Sequence, residues 1–235
     1  MVDIASVSET TEKQYPKIFE IVALGNLVEA VAEAVPSDED LPTGELNHTP
    51  LRRALRDEGG ARGWYFEHLI NKAIRKSVEQ SNQERPGLCD AKPVRDGIYG
   101  RVTVRTNSLG GLVAYRTGVV DRLTGRPITL AEYDGLVRIG SKLIIVETKM
   151  TKKLPSKFNI EGKVKTLQAI FPDMDISCLV VLQPQTQQTT TVTEVNTARG
   201  SFTLIRRASE LGTEVGEMAG RIHVMANSPP QLAPA

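Results

Sequence analysis

Apolar residues along the chain recur first at helical spacing and later at every second position, and this change of period divides the sequence. In KIFEIVALGNLVEAVAEAV, residues 17–35, Ile18, Ile21, Val22, Leu24, Val28, Val31 and Val35 fall at helical intervals, and Pro36 stops the run. The polar stretch PSDEDLPTGELNHTP reads as a linker. Thr49 then caps a short helix, with Pro50 at its first position, LRRALRDE as its body and Gly59-Gly60 as its end. A longer helix is predicted over about 62–80, with Phe66, Leu69, Ile70, Ala73, Ile74 and Val78 as its apolar stripe.

After a Pro- and Gly-containing loop over 81–97, the period falls to two. IYGRVTVRT and LVAYRTGVV each read as a strand, followed by a turn over 123–127. The stretch AEYDGLVRIGSKLIIVETKM supplies two more strands. A lysine-rich loop leads to a helix that ends near Pro172, and DISCLVVLQP is a short, strongly apolar strand. TTTVTEVN and SFTLIRR form a hairpin around Arg199-Gly200, a helix follows over about 208–219, and the tail NSPPQLAPA is expected to be disordered.

Composition narrows the picture. With 235 residues, 40% of them hydrophobic, the chain can bury one sizeable core. A formal net charge of +1 gives no global basic field, so any nucleic-acid binding must use local patches. Cys89 and Cys178 lie far apart and lack metal-finger or redox spacing. The polar N-terminal segment lacks a secretory layout, and no apolar run approaches the ~18 residues of a membrane helix. A cytoplasmic protein without a membrane partner is the expectation. No Walker, dinucleotide-binding or nucleophile-elbow pattern occurs.

The chemistry gathers in residues 131–150. Gly140-Ser141 separates two strand-like runs, and Gly at the first loop position favours a type II′ turn. Ile139 then faces Lys142. Continuing the count sets Asp134 opposite Glu147 and Glu132 opposite Lys149, all four on one face. Facing residues have Cβ atoms about 4.5–5.5 Å apart, so the two carboxylates repel unless something positive lies between them. The second strand, LIIVET, is apolar on both faces, as a buried central strand would be. Burying a like-charged pair there is costly, and a divalent cation such as Mg²⁺ removes that cost. The competing view is a solvated strand end, with Glu132 and Lys149 as a plain cross-strand ion pair.

EYDGL, a hairpin and then IIVETK resembles the PD-(D/E)xK nuclease superfamily, with its restriction-endonuclease-like fold. Asp134 matches the motif aspartate, Glu147 the second acid and Lys149 the lysine, while Tyr133 replaces the motif's proline. The similarity covers about residues 62–183 and implies an α/β protein with a central mixed sheet flanked by helices. Three segments are expected: an N-terminal helix and linker over 1–48, a nuclease-like core over 49–183 and a C-terminal hairpin and helix extension over 184–235. The resemblance implies metal-dependent hydrolysis of phosphodiester bonds, most readily in DNA. Asp134 and Glu147 would hold Mg²⁺, for which Mn²⁺ could substitute, with Glu67 as a further ligand through water. Lys149 would position water or offset negative charge. Glu132 and Gln168 are outer-shell candidates, and Glu132 could equally be the partner of Lys149. A homodimer is the corresponding expectation, since many such nucleases cut two strands as dimers.

The stretch KMTKKLPSKFNIEGKVK begins at this acid pair. Its Lys152, Lys153, Lys157, Lys163 and Lys165 are placed to contact a phosphate backbone, or else to face water. Arg52, Arg53, Arg56 and Arg62 form a second basic cluster. Trp64 and Tyr65 read as core anchors and His68 as a surface or packing residue. Two other classes stay open: a non-catalytic DNA-binding subunit on the same fold, and an assembly protein whose acids lie on the surface.

Overall fold

The computed structural model describes residues 20–41, 50–84, 91–93, 96–106, 112–151, 160–197 and 200–227. The protein is α/β, built on two sheets. Helix α1 covers 20–32, α2 Pro50–Leu55, α3 Glu58–Glu84, α4 Ile160–Ile170 and α5 Ser209–Asn227. The strands are β1 (Ala91–Pro93), β2 (Gly97–Tyr99), β3 (Val102–Thr106), β4 (Leu112–Val120) and β5 (Pro127–Tyr133). They continue as β6 (Gly135–Ile139), β7 (Lys142–Lys149), β8 (Asp175–Leu182), β9 (Thr191–Thr197) and β10 (Gly200–Arg206).

The main sheet is six-stranded and mixed, in the order β1-β6-β7-β8-β10-β9. Strands β7, β8 and β10 run parallel, and antiparallel pairs complete both sides. Its alternating side chains feed two cores. Ile144, Val146, Leu179, Val181 and Ile205 pack against α1, α3 and α5. Leu143, Ile145, Cys178, Val180 and Leu204 pack against α4 and the second sheet, β2-β3-β4-β5. Alternate side chains of LIIVET therefore enter opposite cores, and a strand covered on both faces explains the continuous apolar run.

Several elements depart from the predicted ones. On α1 the buried face is Ala23, Leu27, Val31 and, just past its end, Ala34, while Ile21, Val22 and Val35 are exposed. Val31 is buried and Leu24 and Val28 pack against the core as expected, but Leu27 and the alanines complete the face in place of Ile21, Val22 and Val35. Gly59-Gly60 do not close α2; they lie in the first turn of α3, whose start Asp57 caps by accepting the Gly60 N–H at 2.8 Å. A Cβ at Gly60 would collide with the Ala54 carbonyl, so the glycine permits α2 and α3 to meet closely. IYGRVTVRT is two strands joined by a turn at Gly100-Arg101. The expected C-terminal hairpin exists, and β10 joins it to the main sheet beside β8.

Long-range ties hold α1 in place. Glu20, buried, accepts bonds from the Ser141 N–H at 2.8 Å and its hydroxyl at 3.0 Å. Arg207 is fully buried; it donates to the Ala34 carbonyl and lies over the Phe66 ring, 5.6 Å from its centroid. Burial pulls that guanidinium down to about 10. Beyond the helix, Arg221 reaches Asp38 at 2.6 Å.

Candidate active site

The β6–β7 hairpin has the register expected from Gly140-Ser141. Ile139 pairs with Lys142 and Gly135 with Val146. Gly140 has φ +56°, and a Cβ there would run into the Glu20 carboxylate, so both the turn and its neighbour require glycine. The ladder leaves Asp134 and Glu147 at the open end of the hairpin. There the chain leaves one sheet for the other, since β5 belongs to the second sheet and β6 to the first.

That switch corrects the expectation for Glu132. It pairs with Val113 on β4, is exposed, and does not face Lys149. Two-residue alternation cannot continue across a bend where the strand changes sheets. Asp134 sits at the bend. Its Oδ2 accepts bonds from the Thr148 N–H at 2.7 Å, the Thr148 hydroxyl at 3.1 Å and Lys149 Nζ at 3.1 Å. Lys149 Nζ also lies 3.8 Å from Glu147 Oε2, so the two acids share one ammonium. Glu147 is only 1% exposed, and its other oxygen binds Lys163 Nζ.

Helix α3 closes the site from the far side. Asn71 Nδ2 donates to the Asp134 carbonyl at 2.9 Å, one turn after Glu67. Glu67 is pushed up to about 7 by burial, with Asp134 and then Glu147 adding to the effect against Lys149 and Lys163. Burial, and then Asp134, also raise Glu147 above the usual carboxylate range despite both lysines. Burial draws Lys149 down, but Asp134 and Glu147 more than reverse this, so its pKa is raised overall. The cluster thus brings together Glu67, Asp134, Glu147, Lys149 and Lys163 from α3, the sheet switch, β7 and α4.

Lys163 departs from its expected place on a phosphate-binding surface. The Tyr133 hydroxyl donates to its backbone carbonyl at 3.2 Å, and its ammonium lies over the Tyr133 ring. The stripe Ile160, Val164 and Leu167 sets the buried face of α4, with Lys163 beside it. That spacing was the available signal for its inward position. Gln168 is exposed and turns to the Pro172 and Met174 carbonyls at the end of α4, which removes it from the site. Lys165 is exposed and pairs with Glu161. Lys152, Lys153 and Lys157 lie outside the described residues. Of the arginine cluster, Arg52 donates to the Ala226 carbonyl at 2.9 Å and Arg62 pairs with Glu58, while Arg53 and Arg56 are exposed. Tyr65 is a core residue, and Trp64 stacks on His68.

Asp134 and Glu147 thus share Lys149, and Glu67 and Glu147 are both held above the ordinary carboxylate range. Among the described residues no three His, Cys, Asp or Glu side chains are grouped closely enough to hold a metal ion together. Neither any known family model nor any curated protein matches the chain.

Proposed function

We propose that this protein is a metal-dependent nuclease with a restriction-endonuclease-like core, hydrolysing phosphodiester bonds in DNA. The observation that carries this reading is the convergence of Asp134 and Glu147 on one ammonium at the open end of a buried hairpin. Asp134, Glu147 and Glu67 would hold Mg²⁺, or Mn²⁺ in its place, which when bound polarises a phosphoryl oxygen and lowers the pKa of water. Lys149, bonded to Asp134 and close to Glu147, supplies a hydrogen-bond donor and a positive charge beside the scissile phosphate. Thr148 fixes the Asp134 carboxylate, and Asn71 fixes its backbone. Burial of Glu147 keeps bulk water from the acid pair and strengthens each of these interactions.

The test is a panel of linear, circular, branched and single-stranded DNA with Mg²⁺ or Mn²⁺. Cleavage that disappears in chelator and in Asp134→Ala or Glu147→Ala is expected. Full activity in chelator or in either variant would refute the reading. Lys163 favours a second reading, a non-catalytic DNA-binding subunit, because its ammonium already occupies one oxygen of Glu147. A silent calorimetric titration with both metals, together with retained DNA binding, would select that alternative.

A further inference from the structure

The four-stranded sheet carries charge that the acid cluster does not use. Arg101, Arg105, Arg116, Arg122 and Arg126 are all exposed on or beside its strands. Nearby acids are engaged in local turns. Asp96 accepts the Thr106 N–H and hydroxyl at 2.8 and 2.6 Å. Asp121 accepts the Leu123 N–H, the Thr124 N–H and the Thr124 hydroxyl at 3.0, 2.8 and 2.9 Å. These two aspartates and the exposed Glu132 keep their charge, so the five arginines leave the sheet a modest positive balance of about two, with Arg116 on the opposite face from Arg105.

Its shape adds to the argument. Strand β3 leaves β4 after the Thr117 N–H bonds to the Arg101 carbonyl; beyond that point β4 bulges away from β5 over 116–119 and meets it again at Val120–Pro127 and through the Asp121 N–H to the Arg126 carbonyl at 2.8 Å, leaving a short two-stranded tip. Two register shifts bend the ribbon. Its tip is tied by the Asp121 bonds and by Gly125 N–H to the Asp121 carbonyl at 2.8 Å. Between Arg122 and Arg126, Leu123 stands 96% exposed, and Val120 and Ile128 are exposed just behind it. Together these three side chains make a small apolar patch at the tip, flanked by the two arginines. From the tip, β5 runs straight into Tyr133 and Asp134.

We propose that this ribbon is an arm that enters a groove of duplex DNA and sets the duplex against the acid cluster. The inference rests on the nuclease reading for its partner. A two-stranded ribbon fits the major groove, about 12 Å wide. The base of the tip, Pro127, is seven residues from Asp134, at most about 24 Å along an extended strand or some seven base-pair steps of ~3.4 Å. Arg116, Arg122 and Arg126 meet phosphates along the groove walls, and Leu123 meets base edges or thymine methyl groups.

The experiment measures affinity of the full chain for a 5′-labelled duplex and for its single strand by fluorescence anisotropy in chelator, over a salt series. Chelator separates binding from cleavage. Arg116→Ala/Arg122→Ala/Arg126→Ala should weaken duplex binding about tenfold or more and reduce the slope of log affinity against log salt by about two to three. Leu123→Ser, fully exposed and without charge change, should weaken duplex binding a fewfold with an unchanged salt slope. Arg75→Ala/Lys76→Ala, on the exposed part of α3, should leave both values at wild type. Circular dichroism and melting of each variant check that the fold persists. Wild-type binding by the arm variants, equal losses in the α3 control, or preference for the single strand would overturn the arm. A wild-type protein that binds duplex through the arm but never cleaves it would sink the nuclease reading and leave the arm standing. A wild-type protein that binds no duplex would overturn both.

Discussion

The β6–β7 hairpin carries a buried glutamate at each end, and the two are held in opposite ways. At the turn, Glu20 reaches in from α1 and takes neutral donors, the Ser141 N–H and hydroxyl. At the open end, Glu147 belongs to the hairpin itself and is surrounded by charge: Lys149, Lys163, Asp134 and Glu67. One arrangement satisfies a single carboxylate with fixed dipoles and fastens a turn. The other sets Glu147 and Glu67 where burial, and then the Asp134 charge, raise their pKa, an arrangement that serves chemistry better than stability. A buried acid is therefore a poor marker of function by itself; its companions decide.

Mutation should separate the two ends. Asp134→Ala or Glu147→Ala is expected to lower Mg²⁺-dependent cleavage about a thousandfold or more, read as initial rates of plasmid nicking. Glu20→Ala should leave those rates within a fewfold of wild type. Its effect should fall on stability instead, by about 1–3 kcal/mol in urea unfolding, because the Ser141 N–H loses its acceptor. Gly140→Ala should destabilise at least as much, through both its positive φ and its collision with Glu20.

Smaller effects sharpen the contrast. Lys163→Met removes the ammonium from Glu147 and is expected to tighten metal binding about tenfold, a gain of about 1.4 kcal/mol, measured by calorimetry. The smallest expected effect is a pH dependence of the metal-free protein. Glu67 has a folded pKa of about 7 against an ordinary 4.5. Between these values the folded state keeps a proton that the unfolded chain has released. Stability from this group is therefore complete below 4.5 and lost as pH rises through about 7. Melting in chelator at pH 5 and pH 8 should show the fall, and Glu67→Gln should flatten it.

The hairpin and its acids were legible in the sequence because Gly140-Ser141 interrupts two alternating runs, and a tight turn fixes register without further information. Phe66, Leu69, Ile70 and Ile74 were equally legible, since a broad apolar stripe on a long helix has few rival placements. Glu132 was not, because the bend at Asp134 moves the chain between sheets while the apolar alternation gives no sign of it. The α1 face was legible only in part: Val31, Leu24 and Val28 meet the core, but Leu27 and the alanines take the places that the sequence pattern assigned to Ile21, Val22 and Val35. The inward position of Lys163 depends on α4 docking over Tyr133, a contact thirty residues apart in the chain. Gly59-Gly60 resembled a helix end because the need for glycine comes from Ala54 across a tertiary contact.

Helix α1 is gripped by partners made much later in synthesis. Ser141 holds Glu20, and Arg207, 173 residues further on, holds Ala34. At ribosomal speeds of about 5–20 residues per second, the second partner follows its helix by roughly ten to thirty-five seconds. A lone helix of this length is marginal in water. During that interval α3 and Ser141 can already receive the helix, but its far end lacks the Arg207 tie and stays open to chaperones and proteases until β10 has left the exit tunnel.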